Sequence, residues 1–261
     1  MPANNRVGIV LAGGASRRMQ AAGMTGVTGM TGMTGMTGMN AWSDKATLTL
    51  AGQTFVERVC LAVATEVAEV IVVAAPLQEL PSLPSGVIVV RDSLPGAGPL
   101  AGIADGMGCV LEARRRAGQT PPEVAVIVSC DVPLLRPAVV RLLCEALGCA
   151  EGARAGQQTS PKAHSARDTP LWVVPVVGGY RQVLVSALRP ELLATIQAYL
   201  GSGRCDPRGL LEQIHAADPG AVRFLCEPEI AAVDPDGDSF CDVDTWADFH
   251  RINSRLQKND G

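Results

Sequence analysis

The sequence predicts an α/β fold on a mostly parallel sheet, and three observations carry that reading. Short β-branched runs, at residues 7–11, 70–74, 87–90 and 124–128, have the length and composition of buried strands. Between them lie stretches with apolar residues at helical spacing, the first through Phe55, Val56, Val59 and Val63. The alternation of the two is the βαβ rhythm of a parallel sheet.

With 261 residues, 47% of them hydrophobic and 18% charged, the chain can bury one large core or two small ones, and we read residues 1–261 as one domain. A net charge of −4 and few aromatics (three Trp, two Tyr, four Phe) lack the basic stripe and stacking platforms of a nucleic-acid surface. No nucleic-acid partner is expected. No basic segment followed by a signal-type apolar run stands at the start, and the longest apolar stretch, residues 59–77, is interrupted by Glu66 and Glu69. Neither export nor a membrane anchor is expected, and the expected location is cytoplasmic. The eight cysteines contain no C-x-x-C pair and mostly sit in apolar segments, which predicts free, mostly buried thiols in a reducing compartment.

Taken in order, Val7, Ile9, Val10 and Leu11 form the first strand, ended by Gly13 and Gly14. Paired glycines at a strand's carboxyl end let main-chain N–H groups approach a phosphate or a base. Arg17 and Arg18 follow with guanidinium forks that match phosphate oxygens. Met-Thr-Gly units then repeat with a period of three at about residues 23–39, a period of neither helix nor strand, so an insertion in an exposed loop is expected. Order resumes at Asp44 and Lys45, with Leu48 and Leu50 alternating before a turn at Gly52. Thr54 is the expected N-cap of a helix running to about Glu66.

The strands at 70–74 and 87–90 flank a loop with Pro76, Pro81 and Pro84. A glycine- and proline-rich stretch at 91–102 leads into a helix to about Arg115, with Pro99 in its first turn. The strand at 124–128 runs into Asp131, and a carboxylate straight after a central strand points into the same crevice as the first loop. A helix over 137–147 follows, then a polar, turn-rich stretch at about 151–170 read as a second insertion. Two strands, 171–177 and 182–188, meet at Gly178-Gly179 as a hairpin. Helices at 190–200 and 210–216, a strand at 222–225, and a last helix with Trp246, Phe249 and Ile252, capped by Asp244 or Thr245, complete the chain.

Residues 11–19 read L-A-G-G-x-S-x-R-M, Asp92 is followed by G-P-L-A-G at 98–102, and residues 130–133 read C-D-x-P. With the closing Asp242-Val243-Asp244-Thr245, these stretches resemble the nucleotidyltransferases, and the L-A-G-G form resembles the molybdenum cofactor guanylyltransferases. The resemblance touches nearly the whole chain except the two insertions. It implies a Rossmann-like three-layer α/β/α fold, GTP and Mg²⁺ as requirements, and transfer of GMP to the phosphate of molybdopterin with release of pyrophosphate. It also implies the molybdenum cofactor and molybdoenzyme maturation proteins as partners. Carried onto this sequence, it makes Leu11, Ala12, Gly13, Gly14, Ser16, Lys45, Asp92, Gly98, Pro99 and Leu100 the nucleotide-binding residues, and Arg18, Lys45 and Asp131 the catalytic ones.

Such a reaction brings one anion against another, so charge repulsion at the α-phosphate is the main barrier and cations must offset it. Mg²⁺ prefers one or two carboxylates plus phosphate oxygens and water, which makes Asp131, with Asp242 or Asp244, its expected seat. Lys45 and Arg18 then neutralise the departing β- and γ-phosphates. The scattered His164, His215 and His250 receive no role.

Three departures from the family pattern matter. The repeat separates Lys45 from the first loop, and Arg181-Gln182-Val183 stands where many members carry His-Pro. Asp242-Val243-Asp244 stands where guanylyltransferases often carry N-x-N, and resembles the D-x-D-T of cytidylyl relatives. Cytidylyl or other nucleotidyl transfer to a phosphorylated small molecule is therefore one alternative, and a non-catalytic nucleotide or cofactor carrier is another. A mere binder does not need Arg18, Lys45 and Asp131 together.

Overall fold

A computed structural model describes residues 5–13, 44–148 and 169–259. The Met-Thr-Gly repeat and nearly all of the polar insertion lie outside the described residues. The chain builds β1 (Arg6–Leu11), a small hairpin of β2 (Thr49–Leu50) and β3 (Gln53–Thr54), α1 (Phe55–Ala64), β4 (Glu69–Ala74), β5 (Ile88–Arg91), α2 (Pro99–Arg116), β6 (Val124–Ser129) and α3 (Pro137–Gly148). It continues through β7 (Trp172–Val177), β8 (Tyr180–Arg181), β9 (Val185–Leu188), α4 (Leu193–Gly201), α5 (Pro207–Ala217), β10 (Val222–Leu225), α6 (Glu227–Ala231) and α7 (Trp246–Asn259).

The main sheet runs β10-β7-β9-β6-β1-β4-β5, with β8 paired to β7. β1 lies parallel to both β4 and β6, β4 is parallel to β5, and β7 is parallel to β10. Only β9, wedged between β6 and β7, runs antiparallel along this path. After β1 the chain adds β4 and β5 on one side and then returns to place β6 on the other, so the strand order reverses between β1 and β6. In an open α/β sheet, the crevice outside the carboxyl ends at such a reversal is where ligands sit.

Side chains alternate across β1, which is buried along its whole length. Val7, Ile9 and Leu11 pack with Leu100, Ile103 and Met107 of α2, Ile196 of α4 and Leu210 of α5. Val10 packs on the opposite face with Val56 and Val59 of α1 and Val140 and Leu143 of α3. Helices therefore cover both faces, which is the three-layer α/β/α arrangement the resemblance implies. Each such side chain contributes about 1.5–3 kcal/mol relative to exposure. Close seating of α2 needs a glycine, because a Cβ on Gly106 would come within 2.8 Å of Ile9 Cγ2. A third apolar cluster of Leu48, Leu50, Phe55, Leu134, Val243 and Ile252 docks α7 near the start of α1.

Thr54 caps α1 as predicted, accepting from Glu57 N at 3.3 Å while Glu57 Oε2 accepts from Thr54 N at 3.3 Å. At α7 the cap is Thr245, whose Oγ1 accepts from Asp248 N at 3.2 Å while Asp248 Oδ2 accepts from Thr245 N at 2.9 Å. The predicted second hairpin strand, 182–188, is confined to β9, and a separate short strand, β8, precedes it. β8 returns from Gly178 and Gly179, both at positive φ, to pair with the end of β7, and β9 then pairs with the start of β7 on one side and with β6 on the other, the junction held by Ser129 N donating to Leu184 O at 2.9 Å. α5 starts earlier than predicted, since Asp206 accepts from Gly209 N at 2.5 Å and Pro207 suits a first turn. Cys60, Cys130 and Cys144 are buried as predicted, and desolvation first pushes the Cys60 thiol up to about 12. Cys205 and Cys226 are exposed, contrary to that expectation, because each lies in a loop. No described helix is long and apolar enough to cross a membrane.

Candidate functional site

At the end of β1, Leu11 and Ala12 are buried, so only their main chain can face the crevice. Ala12 N and Gly13 N both donate to Val73 O, at 2.9 and 3.2 Å, so the first of the paired glycines has its N–H engaged within the sheet and not aimed at a phosphate. Gly13 meets a packing demand instead, since a Cβ there would lie 3.1 Å from Ala75 N. Gly14, Ser16, Arg17 and Arg18 lie outside the described residues.

Lys45 opens a short 3-10 turn that Asp44 caps, its Oδ1 accepting from Ala46 N at 3.0 Å, and the fully buried Ala46 anchors the turn in the core. From there Lys45 Nζ lies 3.4 Å from Asp131 Oδ2 and 2.5 Å from Asp244 Oδ1. The repeat has therefore not carried the lysine away from the crevice. Burial works to lower the Lys45 pKa, but the neighbouring charges of Asp131 and Asp244 outweigh it and hold the value above the ordinary lysine range.

Asp131 sits on the loop after β6, which is tied to β1 by Cys130 N donating to Leu11 O at 3.0 Å. The C-terminal acidic segment is docked on the same loop by Val243 N donating to Asp131 O at 2.9 Å. Val243 is completely buried, so the alternation of an extended segment leaves Asp242 and Asp244 outside that core. Asp244 meets Lys45. The Asp242 carboxyl is pushed above its ordinary range, by desolvation first and then by the negative charges of Asp244 and Asp131.

Among the described residues, no three His, Cys, Asp or Glu side chains converge as a metal-holding group. Asp131 and Asp244 nevertheless converge on one cation, the Lys45 ammonium. Two carboxylates aimed at one positive centre fit Mg²⁺, which keeps water and takes phosphate oxygens for the rest of its shell.

The loop after β5 is organised differently. Asp92 N donates to Ala74 O at 2.8 Å, and Asp92 Oδ1 accepts from Leu94 N at 2.9 Å, an Asx-type turn that engages the carboxylate locally. Gly98 has φ 76°, and a Cβ there would meet Cys205 O at 3.2 Å, so glycine suits it on both counts. Pro99 opens α2, and Leu100 is fully buried in the core, leaving its main chain as the part able to meet a ligand. Gly102 seats this end of α2 against Leu11, where a Cβ would lie 3.1 Å from Leu11 Cδ2.

Sequence reasoning missed Gln78. Its Nε2 donates to Ala12 O at 3.0 Å and to both Asp44 carboxylate oxygens at 2.8 Å, and its Oε1 accepts from Ala75 N at 2.9 Å. A polar residue in a proline-rich loop carries no spacing that would have marked it.

A family model described as MobA-like NTP transferase domain matches residues 8–217. The chain is 38% identical over 130 residues to a Mycobacterium tuberculosis protein named "Probable molybdenum cofactor guanylyltransferase", covering 49% of each. It thus spans about half the length of that relative. It is 28% identical over 207 residues to a Mycobacterium avium protein of the same name, covering 78% of this chain and 80% of that one. "Molybdopterin-guanine dinucleotide biosynthesis protein A" from Archaeoglobus fulgidus shares the fold at TM-score 0.60 and 17% identity, over 97% of this chain and 99% of that chain. A nucleotidyl transferase from Methanothermobacter thermautotroptrophicus does so at TM-score 0.60 and 18% identity, over 98% and 99%. The family match covers most of the sequence, and the chain belongs to the MobA-like NTP transferase domain family.

Proposed function

We propose that this member of the MobA-like NTP transferase domain family transfers GMP from GTP to the phosphate of molybdopterin, with release of pyrophosphate. The observation that carries the reading is the meeting of Lys45, Asp131 and Asp244 beside the end of β1, at the point where the strand order reverses. The L-A-G-G loop and the names of the mycobacterial relatives support the guanylyl and molybdopterin parts. A cytoplasmic location and hand-over to molybdoenzyme maturation proteins belong to the same reading.

A phosphate monoester has a second pKa of about 6, so the acceptor is already largely ionised at neutral pH and needs no protein base. What the protein must reduce is its repulsion from the α-phosphate. Lys45, kept charged by its carboxylate neighbours, places an ammonium in the crevice and exchanges those contacts for phosphate oxygens when the triphosphate arrives. Arg18 adds a second cation on the departing pyrophosphate. Asp131 and Asp244 hold Mg²⁺, which when bound neutralises phosphate charge. Gly14 and Ser16, with the main chain of Gly98, Pro99 and Leu100, bind the nucleotide, while Leu11, Ala12 and Gly13 anchor the first loop to the sheet and Asp92 shapes its own loop through the turn to Leu94.

One observation favours a second reading, cytidylyl transfer: the acidic Asp242-Val243-Asp244 resembles the cytidylyl pattern. Incubation of the protein with Mg²⁺, molybdopterin and either GTP or CTP, followed by product mass, separates the two. A guanine dinucleotide product is expected. A cytosine product alone replaces the reading, and nucleotide binding without any product leaves the carrier alternative.

A further inference from the structure

Residues 14–43, between Gly13 and Asp44, carry the rest of the first loop and the Met-Thr-Gly tract, so the chain length between two parts of the site changes by three residues for each unit gained or lost. The described residues on either side of that tract, Ala12 and Asp44, meet on one side chain. Gln78 Nε2 donates to Ala12 O at 3.0 Å on the near side and to both oxygens of Asp44 at 2.8 Å on the far side. Gln78 is itself fixed to the end of β4, because its Oε1 accepts from Ala75 N at 2.9 Å. Arg91 of β5 holds the base of this arrangement, its Nη1 donating to Gln78 O at 2.7 Å and to Ala75 O at 3.0 Å.

We propose that Gln78 is a positioning residue that ties Asp44 to Ala12 and to the end of β4, so that Lys45 keeps its place opposite Asp131 and Asp244 whatever the number of Met-Thr-Gly units between them. The inference rests on the role given above to Lys45 toward the triphosphate. Closing a loop has a cost that changes roughly threefold in equilibrium constant for each doubling of its length. With Asp44 so pinned, that dependence falls on forming the loop base and leaves the lysine's position untouched. Without the pin, Asp44 and Lys45 are held by the burial of Ala46 and by Lys45's own ion pairs, and tract length is felt at the ammonium. The chemistry also selects an amide. Only a side chain with both donor and acceptor can bond a carbonyl, a carboxylate and a backbone N–H at once, and an isosteric glutamate would keep the bond to Ala75 while repelling Asp44.

The test is a cycle of four proteins: the full chain and a chain lacking residues 24–38, each with and without Gln78→Glu. Each is titrated calorimetrically with GTP and Mg²⁺, and melting temperature is recorded alongside. The deletion alone is expected to change affinity less than about threefold. Gln78→Glu in the full chain is expected to weaken binding by roughly tenfold. In the Gln78→Glu background the same deletion is expected to shift affinity several-fold, so that the two changes are not additive. A merely structural role lowers melting temperature and leaves the two effects multiplicative. Additive effects, or unchanged affinity in Gln78→Glu, overturn the proposal, and Gln78→Ala repeats the cycle should the glutamate variant not fold. Lys45→Ala separates the underlying reading. Weakened binding there, with additive Gln78 and length effects, refutes only the pinning role, whereas unchanged binding refutes the role of Lys45 and the proposal with it.

Discussion

The loops after β5 and β6 lie at the same edge of the sheet and each carries an aspartate within two residues of its strand, yet the two carboxylates have different fates. Asp92 is captured by its own turn, accepting from Leu94 N at 2.9 Å. Asp131 reaches across the crevice to Lys45 Nζ at 3.4 Å. Position explains part of the difference, because β6 adjoins β1 where the strand order reverses, while β5 is the outermost strand. Local chemistry explains the rest: an aspartate two residues before an available N–H closes an Asx turn, which leaves less of it for a ligand. A strand-end carboxylate thus reaches across the crevice only when its own loop does not engage it.

The largest expected effect comes from Asp131→Asn, which keeps the shape and removes a charge. We predict loss of turnover by at least about a hundredfold with the fold intact, read by steady-state kinetics at saturating Mg²⁺. Near-normal turnover would put Asp131 in the same class as Asp92 and dissolve the contrast. Next in size, Lys45→Met should weaken binding of GTP with Mg²⁺ by about ten- to a hundredfold. Its effect on stability has a definite pH sign. Because the folded-state pKa of Lys45 is raised, the stability it contributes is fully present below the ordinary lysine value of 10.5 and is lost as pH rises through the folded value above it. The difference in melting temperature between the parent and Lys45→Met should therefore be flat from pH 7 to about 9 and shrink only in strong alkali. A difference that fades between pH 7 and 9 would mean that the carboxylates do not hold the ammonium.

Smaller effects sharpen the comparison. Asp242 carries a raised pKa, so its ionised form is disfavoured in the fold, and the resulting cost is present above the ordinary aspartate range and absent well below it. Asp242→Asn should raise the melting temperature slightly at pH 7, by roughly 1–2 °C, with no gain near pH 3. An equal gain at both pH values would place the cause outside its charge. Asp92→Ala should be the mildest for binding: GTP affinity within about twofold, with a drop of a few degrees in melting temperature as Leu94 N loses its acceptor.

Which parts were legible follows from how local their causes are. β1 and the cap of α1 declared themselves because a β-branched run and a Thr54–Glu57 capping box are properties of adjacent residues. The place of Asp131 just after β6 was legible because that strand was. The choice between Asp244 and Thr245 as the cap of α7 was not, since both suit it. The burial of Val243 and the bond from its N–H to Asp131 O decide it, and those depend on a loop far away in sequence. The pairing of β9 was hidden for the same reason, as one short run serves both β6 and β7. Gln78 was illegible because its meaning lies in joining Ala12 and Asp44, 66 and 34 residues away, to the nearby Ala75.

Calorimetric titration of GTP, with and without Mg²⁺, into the parent, Asp131→Asn and Asp92→Ala tests the central claim most directly. The account predicts that Mg²⁺ strengthens GTP binding in the parent and in Asp92→Ala, and that Asp131→Asn loses at least about tenfold of that Mg²⁺-dependent gain. Retention of the full Mg²⁺ gain in Asp131→Asn, or its loss in Asp92→Ala, would contradict it.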